Sequence, residues 1–378
     1  MDAQERVTRV LKHEEADRVP ISDSLWVATI ARWQEEGLPA DTSPAQYFDY
    51  DMVQFGADVS PRFPVRTLSE DEHYVIETSP YGGVVRNRKD RASVPDFVEF
   101  PCQNRHDWDR LKARLKPDKE RVDWQGDWAR NVALDPRGTD SQVSARTDQR
   151  QGLPGYHQAR QAGKFIVYYG PVGFGHIHQA YVGTEQLCMA IATDPAWVID
   201  MYETNAELVM GMYDLMVEGG FQFDAALLAC DLGYNRGLFF SPRHYEQQLH
   251  PVFVRLFAFF HSRGIPVILH SDGRILDLAP YFVEAGLDCL NPLEVKAGMD
   301  LIQLKGQYGD RLAFMGGIDV RAMAADDPAV IEAEIRTKLQ VAKAGGGYIY
   351  HSDHSVPNNV SFQQYQRVIE LVLKYGSY

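Results

Sequence analysis

The stretch Val267-Ile-Leu-His270-Ser-Asp272-Gly273-Arg274 decides how this chain is read. Three apolar residues, two of them β-branched, run into a His, an Asp and a Gly. A strand buried on both faces has this composition, and its polar end marks the mouth of a site. The same order, apolar run first and then Asp, Glu or His, recurs at 19–23, 52–59, 225–231, 289–294, 312–319 and 348–353, and a further apolar run at 165–170 is followed by His176 and His178. Together with 267–272 these make eight strand candidates.

Helical stretches separate them. Residues 3–12 place Val7, Val10 and Leu11 on one face. Residues 28–36 end at Gly37 and Pro39, and Ser43-Pro44 opens another turn with a cap and a Pro at the first helical position. Further helices are expected over 184–192, 195–218, 241–263, 276–285, 300–308, 328–344 and 361–375. Strands joined through helices run parallel. Eight of them in 378 residues favour a closed (β/α)8 (TIM) barrel over an open sheet. The absence of a GxGxxG or P-loop turn weakens the doubly wound alternative.

The chain reads as a single barrel domain over 1–378, interrupted by an insertion at about 66–161. There, 72–77 and 84–88 flank Ser79-Pro-Tyr-Gly-Gly83, a hairpin signal. A helix is expected over 107–115, followed by a polar, Arg- and Gln-rich tract through Gly163. The insertion is placed near the mouth, as a lid or a dimer contact, so a homo-oligomer is possible.

Bulk properties narrow the function. Hydrophobic residues make up 45% of the chain, enough for a sizeable core. No apolar run reaches the roughly 20 residues of a membrane span, and Met1-Asp-Ala-Gln-Glu-Arg lacks the pattern of a signal peptide. A cytoplasmic protein with no membrane partner is expected. The formal net charge of −14 argues against nucleic acid, whose phosphates need a basic face. Cys102, Cys188, Cys230 and Cys289 form no CxxC pair and suggest no disulfide framework.

In such a barrel the C-terminal strand ends converge on one face. They carry Asp58, His176 and His178, Asp231, His270 with Asp272, Glu294, Asp319, and His351 with Asp353 and His354. An Asp after a strand can simply cap the next helix, and Asp319 in Gly-Gly-Ile-Asp is the strongest example. Several His and carboxylate groups facing one cavity make either a metal site or an acid/base site. Imidazole nitrogen and carboxylate oxygen suit Zn2+. His270 and Asp272 fall on one face of an extended strand, so both can reach one ion. Glu294 lies on the next strand and Asp353 on the last.

With these motifs placed, the chain resembles the uroporphyrinogen decarboxylase superfamily. The carrying residues are Gly170-Pro171, Asp231-Leu-Gly-Tyr followed by Ser241-Pro242, His270-Ser-Asp-Gly273, Asn291-Pro-Leu-Glu294, Gly316-Gly-Ile-Asp319 and Ser352-Asp-His-Ser-Val-Pro357. The resemblance covers the chain well from about Gly170 onward and the first strands more loosely.

Its decarboxylase branch implies a cofactor-free reaction on a tetrapyrrole, with Asp58 at the position that gathers pyrrole N–H groups and His354 at that of a late His. That branch also carries an arginine-rich clamp near the N-terminus. Here 21–32 holds one Arg and an added Asp. Its other branch, the corrinoid-dependent methyltransferases, implies a zinc at the barrel mouth and a cobalamin on a partner protein. The thiol-methylating members hold zinc with His-x-Cys and a later Cys. Here the pair reads His270-Ser-Asp272, and the later position lies near His351-Ser-Asp353. An oxygen- and nitrogen-ligated zinc is a harder Lewis acid, suited to an ether, alcohol or amine-type methyl donor.

The resemblance therefore implies a zinc-dependent methyltransferase moving a methyl group from a small methylated, possibly methoxylated, substrate to a corrinoid protein. His270 and Glu294 would hold the metal with one of Asp231, Asp272 or Asp353, and His354 or His178 would protonate the leaving group. The alternative is the decarboxylase built around Asp58.

Overall fold

The computed structural model describes residues 1–89, 95–126 and 152–378. In chain order its strands are β1 (Met52–Gly56), β2 (Thr67–Glu70), β3 (Tyr74–Thr78), β4 (Val84–Arg88), β5 (Asp96–Glu99), β6 (Phe165–Pro171), β7 (Ala225–Ala229), β8 (Gly233–Tyr234), β9 (Gly237–Leu238), β10 (Val267–His270), β11 (Cys289–Asn291), β12 (Ala313–Met315) and β13 (Tyr348–Ile349). The core is a seven-stranded sheet in the order β1-β6-β7-β10-β11-β12-β13, and every neighbouring pair is parallel. Helices connect most of these strands, as the alternation of apolar runs predicts.

The sheet curls. Alternate residues along its strands fall into two apolar clusters, as the two-residue period of a strand requires. One contains Val167, Leu227, Ile268, Ala313 and Ile349 together with Val7, Val10 and Leu11 of the N-terminal helix Ala3–Leu11. The other packs Ile166, Tyr168, Leu228 and Leu269 against helices such as Pro195–Glu218 and His250–His261.

The first apolar run, 19–23, is not a full strand. It makes a parallel bridge from Ile21 to Tyr350, beside β13. The Tyr350 N–H donates to the Pro20 carbonyl at 2.9 Å, and the Ser22 N–H donates to the Tyr350 carbonyl at 3.1 Å. On the other side the Asp51 N–H, just before β1, donates to the Ile21 carbonyl at 2.7 Å. The two edge strands of a seven-stranded sheet thus meet across one short segment, which a flat sheet of strands about 4.8 Å apart does not permit.

The carboxylate of Asp51 locks this meeting point. It is nearly fully buried and accepts from the Arg6 guanidinium at 2.6 Å, the Arg18 guanidinium at 2.8 Å and the Ile21 N–H at 2.6 Å. Arg6 also pairs with Asp17 at 2.6 Å, and that hydrogen bond holds the Asp17 carboxyl down at about 2.

Within the insertion, β2 to β5 form a four-stranded antiparallel sheet in sequence order, and the turn Ser79-Pro-Tyr-Gly-Gly83 joins β3 to β4. The expected helix appears as Arg105–Lys112, capped by Asn104. The polar tract differs from expectation in part. Residues 127–151 lie outside the described residues, but Gly152–Gln161 is a helix rather than a continuation of the tract. One aromatic side chain explains it. Tyr156 is buried against Phe55 and Phe221, with ring centroids 6.1 and 5.1 Å away. Among the described residues no helix is long and apolar enough to cross a membrane, and the four cysteines are free.

Removing one partner of a buried, hydrogen-bonded ion pair strands the other charges, at a cost of about 3–5 kcal/mol. Asp51→Ala is therefore expected to lower the unfolding free energy by about 3 kcal/mol or more in urea titration. A change below about 0.5 kcal/mol, the range of ordinary surface substitutions, would refute the locking role.

Candidate functional site

β10 delivers His270 at its C-terminal end, beside Asn291 at the end of β11. His270 Nδ1 lies 2.6 Å from Asn291 Oδ1. The Asn291 amide is oriented independently, because its Nδ2 donates to the Met315 carbonyl at 3.0 Å. Oδ1 therefore accepts and Nδ1 donates, which leaves Nε2 as the ring nitrogen turned toward the site. Two carboxylates face that nitrogen. Asp231 Oδ1 and Asp272 Oδ1 each stand 3.8 Å from His270 Nε2. Among the described residues, Asp231, His270 and Asp272 bring one ligand atom each within 4.8 Å of one another.

Each carboxylate is positioned by its second contacts. Asp231 Oδ1 accepts from the Asp272 N–H at 3.1 Å, and its Oδ2 accepts from Gln179 Nε2 at 3.0 Å. Asp272 Oδ2 faces His354 Nε2 at 3.4 Å, while its buried Oδ1 has no hydrogen-bond partner among the described residues. Burial alone would raise the Asp272 carboxyl. The hydrogen bond and charge of His354, with the charge of His270, outweigh it and hold the carboxyl well below the usual range. Burial likewise opposes charging His354, but Asp272 raises it to about 9. Its ring stacks on Trp26, with centroids 6.2 Å apart at 23°.

The remaining expected ligands are engaged elsewhere. Glu294 Oε2 accepts from the Gly273 N–H at 2.7 Å, and its Oε1 pairs with Lys296 at 2.8 Å. Gly273 has φ +85°, and a Cβ there would lie 2.3 Å from the Gly233 carbonyl carbon, so Glu294 braces a turn only glycine fits. Asp353 accepts from the Val320 N–H at 3.0 Å and the Val295 N–H at 2.9 Å. Burial lifts its carboxyl to about 6. Asp319 caps the helix Val320–Met323, as its Gly-Gly turn foretold.

Asp58 follows β1 and sits among cations rather than with the His270 group. Its Oδ1 accepts from the Ser60 N–H at 2.7 Å, with Arg62 and Arg121 each 3.9 Å away. Burial raises its carboxyl above the ordinary value. His178 opens a π-helical turn, His178–Val182, directly after the short helix Gly173–Ile177 that follows β6. Its ring stacks on Phe174 at 4.9 Å, and Nδ1 lies 3.0 Å from Thr184 Oγ1. Burial pushes it down to about 4, so it is neutral at physiological pH. His176 is fully buried edge-on to Tyr81 and Tyr181, and burial drives it down to about 3.

Asn291 and Gln179, which orient His270 and Asp231, are neutral amides and were not among the residues singled out by sequence reasoning. Asn291 sits within a quoted motif, but nothing in its type reveals that it selects a tautomer. Gln179 lies beside two histidines that draw attention first.

The chain is similar in fold to a methyltransferase from Methanosarcina mazei, with a TM-score of 0.62, 14% identity and 99% of each chain covered. It is also similar to a candidate vitamin-B12-independent methionine synthase from Listeria monocytogenes, with a TM-score of 0.41, 9% identity, and 97% of this chain and 99% of that chain covered. At 14% identity the likeness to the first of these is one of fold. No curated protein matches the chain. The family model described as uroporphyrinogen decarboxylase (URO-D) matches residues 178–375, more than half of the chain, and on that match the chain belongs to the uroporphyrinogen decarboxylase family.

Proposed function

We propose that this chain is a zinc-dependent methyltransferase that moves a methyl group from a small methylated, possibly methoxylated, substrate to a corrinoid carried by a partner protein. The observation that carries the reading is the convergence of Asp231 and Asp272 on His270 Nε2. The donor set fits the metal. One imidazole nitrogen with its tautomer fixed and two carboxylate oxygens, one of them unpartnered, suit Zn2+ and leave a coordination position open. Glu294 and Asp353 serve this site by holding its loops. The reading takes 19–23 as the eighth stave of a closed (β/α)8 barrel, supported by its hydrogen bonds to both sheet edges.

Zinc bound there supplies a Lewis acid that polarises the heteroatom bearing the methyl group. The chain's own residues do the rest. Asn291 keeps His270 aimed, and Gln179 and the Asp272 N–H keep Asp231 turned toward it. The opposite shifts of the two candidate acids separate their roles. His354, cationic beside Asp272, holds a proton at Nε2 for the departing heteroatom. His178 is neutral and contributes an apolar wall with Phe174 and Phe239.

Protein purified without chelator is expected to hold about one zinc per chain, lost in His270→Ala. Asn291→Ala is expected to weaken metal affinity about 10- to 100-fold. No metal in the wild type, with turnover indifferent to His270→Ala, would overturn the reading in favour of cofactor-free decarboxylation at Asp58. The proton on His354 is tested separately in metal-free protein. Its folded value of about 9 lies above the ordinary 6.5. The stability it contributes is complete below about 6.5 and is lost as pH rises through about 9. By NMR, His354 is expected to titrate near 9 and to fall back in Asp272→Asn. A midpoint unmoved by that substitution would remove Asp272 as the cause.

A further inference from the structure

A second constellation lies where the first segment meets the last strand. The parallel bridge from Ile21 to Tyr350 sets the residues that follow each side by side. Ser24 Oγ lies 3.0 Å from His351 Nε2, and His351 Nδ1 lies 2.7 Å from the Ser352 carbonyl oxygen. A carbonyl only accepts, so Nδ1 carries the proton and Nε2 takes the hydrogen bond from the Ser24 hydroxyl. Behind the ring, Asp23 Oδ1 stands 3.6 Å from Nδ1, its side chain fully buried.

Asp23 is itself held rigidly. The N–H groups of Ser24 and Ser352 donate to it at 2.9 and 3.2 Å, and the hydroxyls of Tyr350 and Tyr365 at 3.2 and 2.8 Å. Ser24 is only half-buried, unlike its two neighbours in the chain. The Leu25 N–H, next after the serine, donates no backbone hydrogen bond among the described residues. This is the order of groups that activates a serine: hydroxyl, imidazole with its far nitrogen protonated, and a carboxylate behind.

We propose that Ser24 is a base-activated nucleophile, with His351 as its base and Asp23 balancing the imidazolium, and that it gives the mouth an acyl-transfer activity on small carboxylic esters, independent of the Asp231–His270–Asp272 group. The Ser24 oxygen bonds to the ester carbonyl carbon as its proton passes to His351 Nε2. The bond from that carbon to the alcohol oxygen then breaks, and the alcohol leaves with the proton from His351. Water repeats the sequence on the acyl-serine, releasing the acid and restoring the hydroxyl. No oxidant, reductant or metal enters the balance.

The test uses the full chain in chelator with a fluorophosphonate, whose P–F bond an activated serine displaces with release of fluoride. Intact mass and peptide mapping are expected to find one adduct, on Ser24. Ser24→Ala is expected to remove it, and His351→Gln to slow labelling about 100-fold, the scale of a lost general base. A wild-type protein unlabelled at Ser24 overturns the proposal, as does labelling at an unchanged rate in His351→Gln. Mapping on the wild type decides the matter even if a variant folds poorly. Because the readout is taken without metal, failure here leaves the methyl-transfer reading standing, and failure of zinc binding leaves this one standing.

Discussion

One buried carboxylate, that of Asp51, holds the two ends of the sheet together. Isolating such a charge from water is costly, and the cost is offset only when its oxygens are fully engaged. Here two guanidiniums and the Ile21 N–H engage them. The result is register more than raw stability. With Ile21 fixed against both β1 and β13, Ser24 arrives beside His351, and Trp26 arrives on the ring of His354. The chemistry at one end of the strands thus depends on an ion pair that touches none of it.

The mouth shows how environment sorts like groups. His178 and His354 are the same residue type on the same rim, yet burial among aromatic rings keeps the first neutral, while the Asp272 carboxylate charges the second. Asp272 and Asp353 diverge in the same way. The first is kept ionised by two histidines, and the second is raised by burial despite two N–H donors. Two histidines and two carboxylates thereby become four different reagents.

Much of the fold was legible because strands buried on both faces read as unbroken apolar runs. All eight runs lie in the sheet or, for 19–23, against both of its edges. Helix starts were sharpest where Ser-Pro or a capping Asp announced them, as at Pro195, Pro242 and Pro328. The partnership of His270 with Asp272 followed from the two-residue period alone. The choice of Asp231 as the third member did not, since Glu294 and Asp353 stand at equivalent strand ends. Which carboxylate turns inward depends on the paths of neighbouring loops: the N–H groups that hold Glu294 and Asp353 belong to Gly273, Val295 and Val320, whereas those that hold Asp231 belong to Asp272 and Gln179 and leave it beside His270. The helix Gly152–Gln161 escaped for a related reason: its burial rests largely on Tyr156, too little to register as a period.

The carboxylates that turn away from the Asp231–His270–Asp272 group have a mechanical consequence. Glu294, after β11, grips the turn after β10, and Asp353, after β13, grips the loops after β11 and β12 at once. Four successive loops are therefore cross-laced through side-chain-to-backbone bonds, and displacing any one of them breaks a charge-assisted bond in the next. That half of the rim behaves as a rigid jaw. Whatever accommodation an incoming molecule demands falls to the loops outside this lacing, such as the one after β6, where Tyr81 of the β3–β4 turn packs edge-on to His176 and Tyr181.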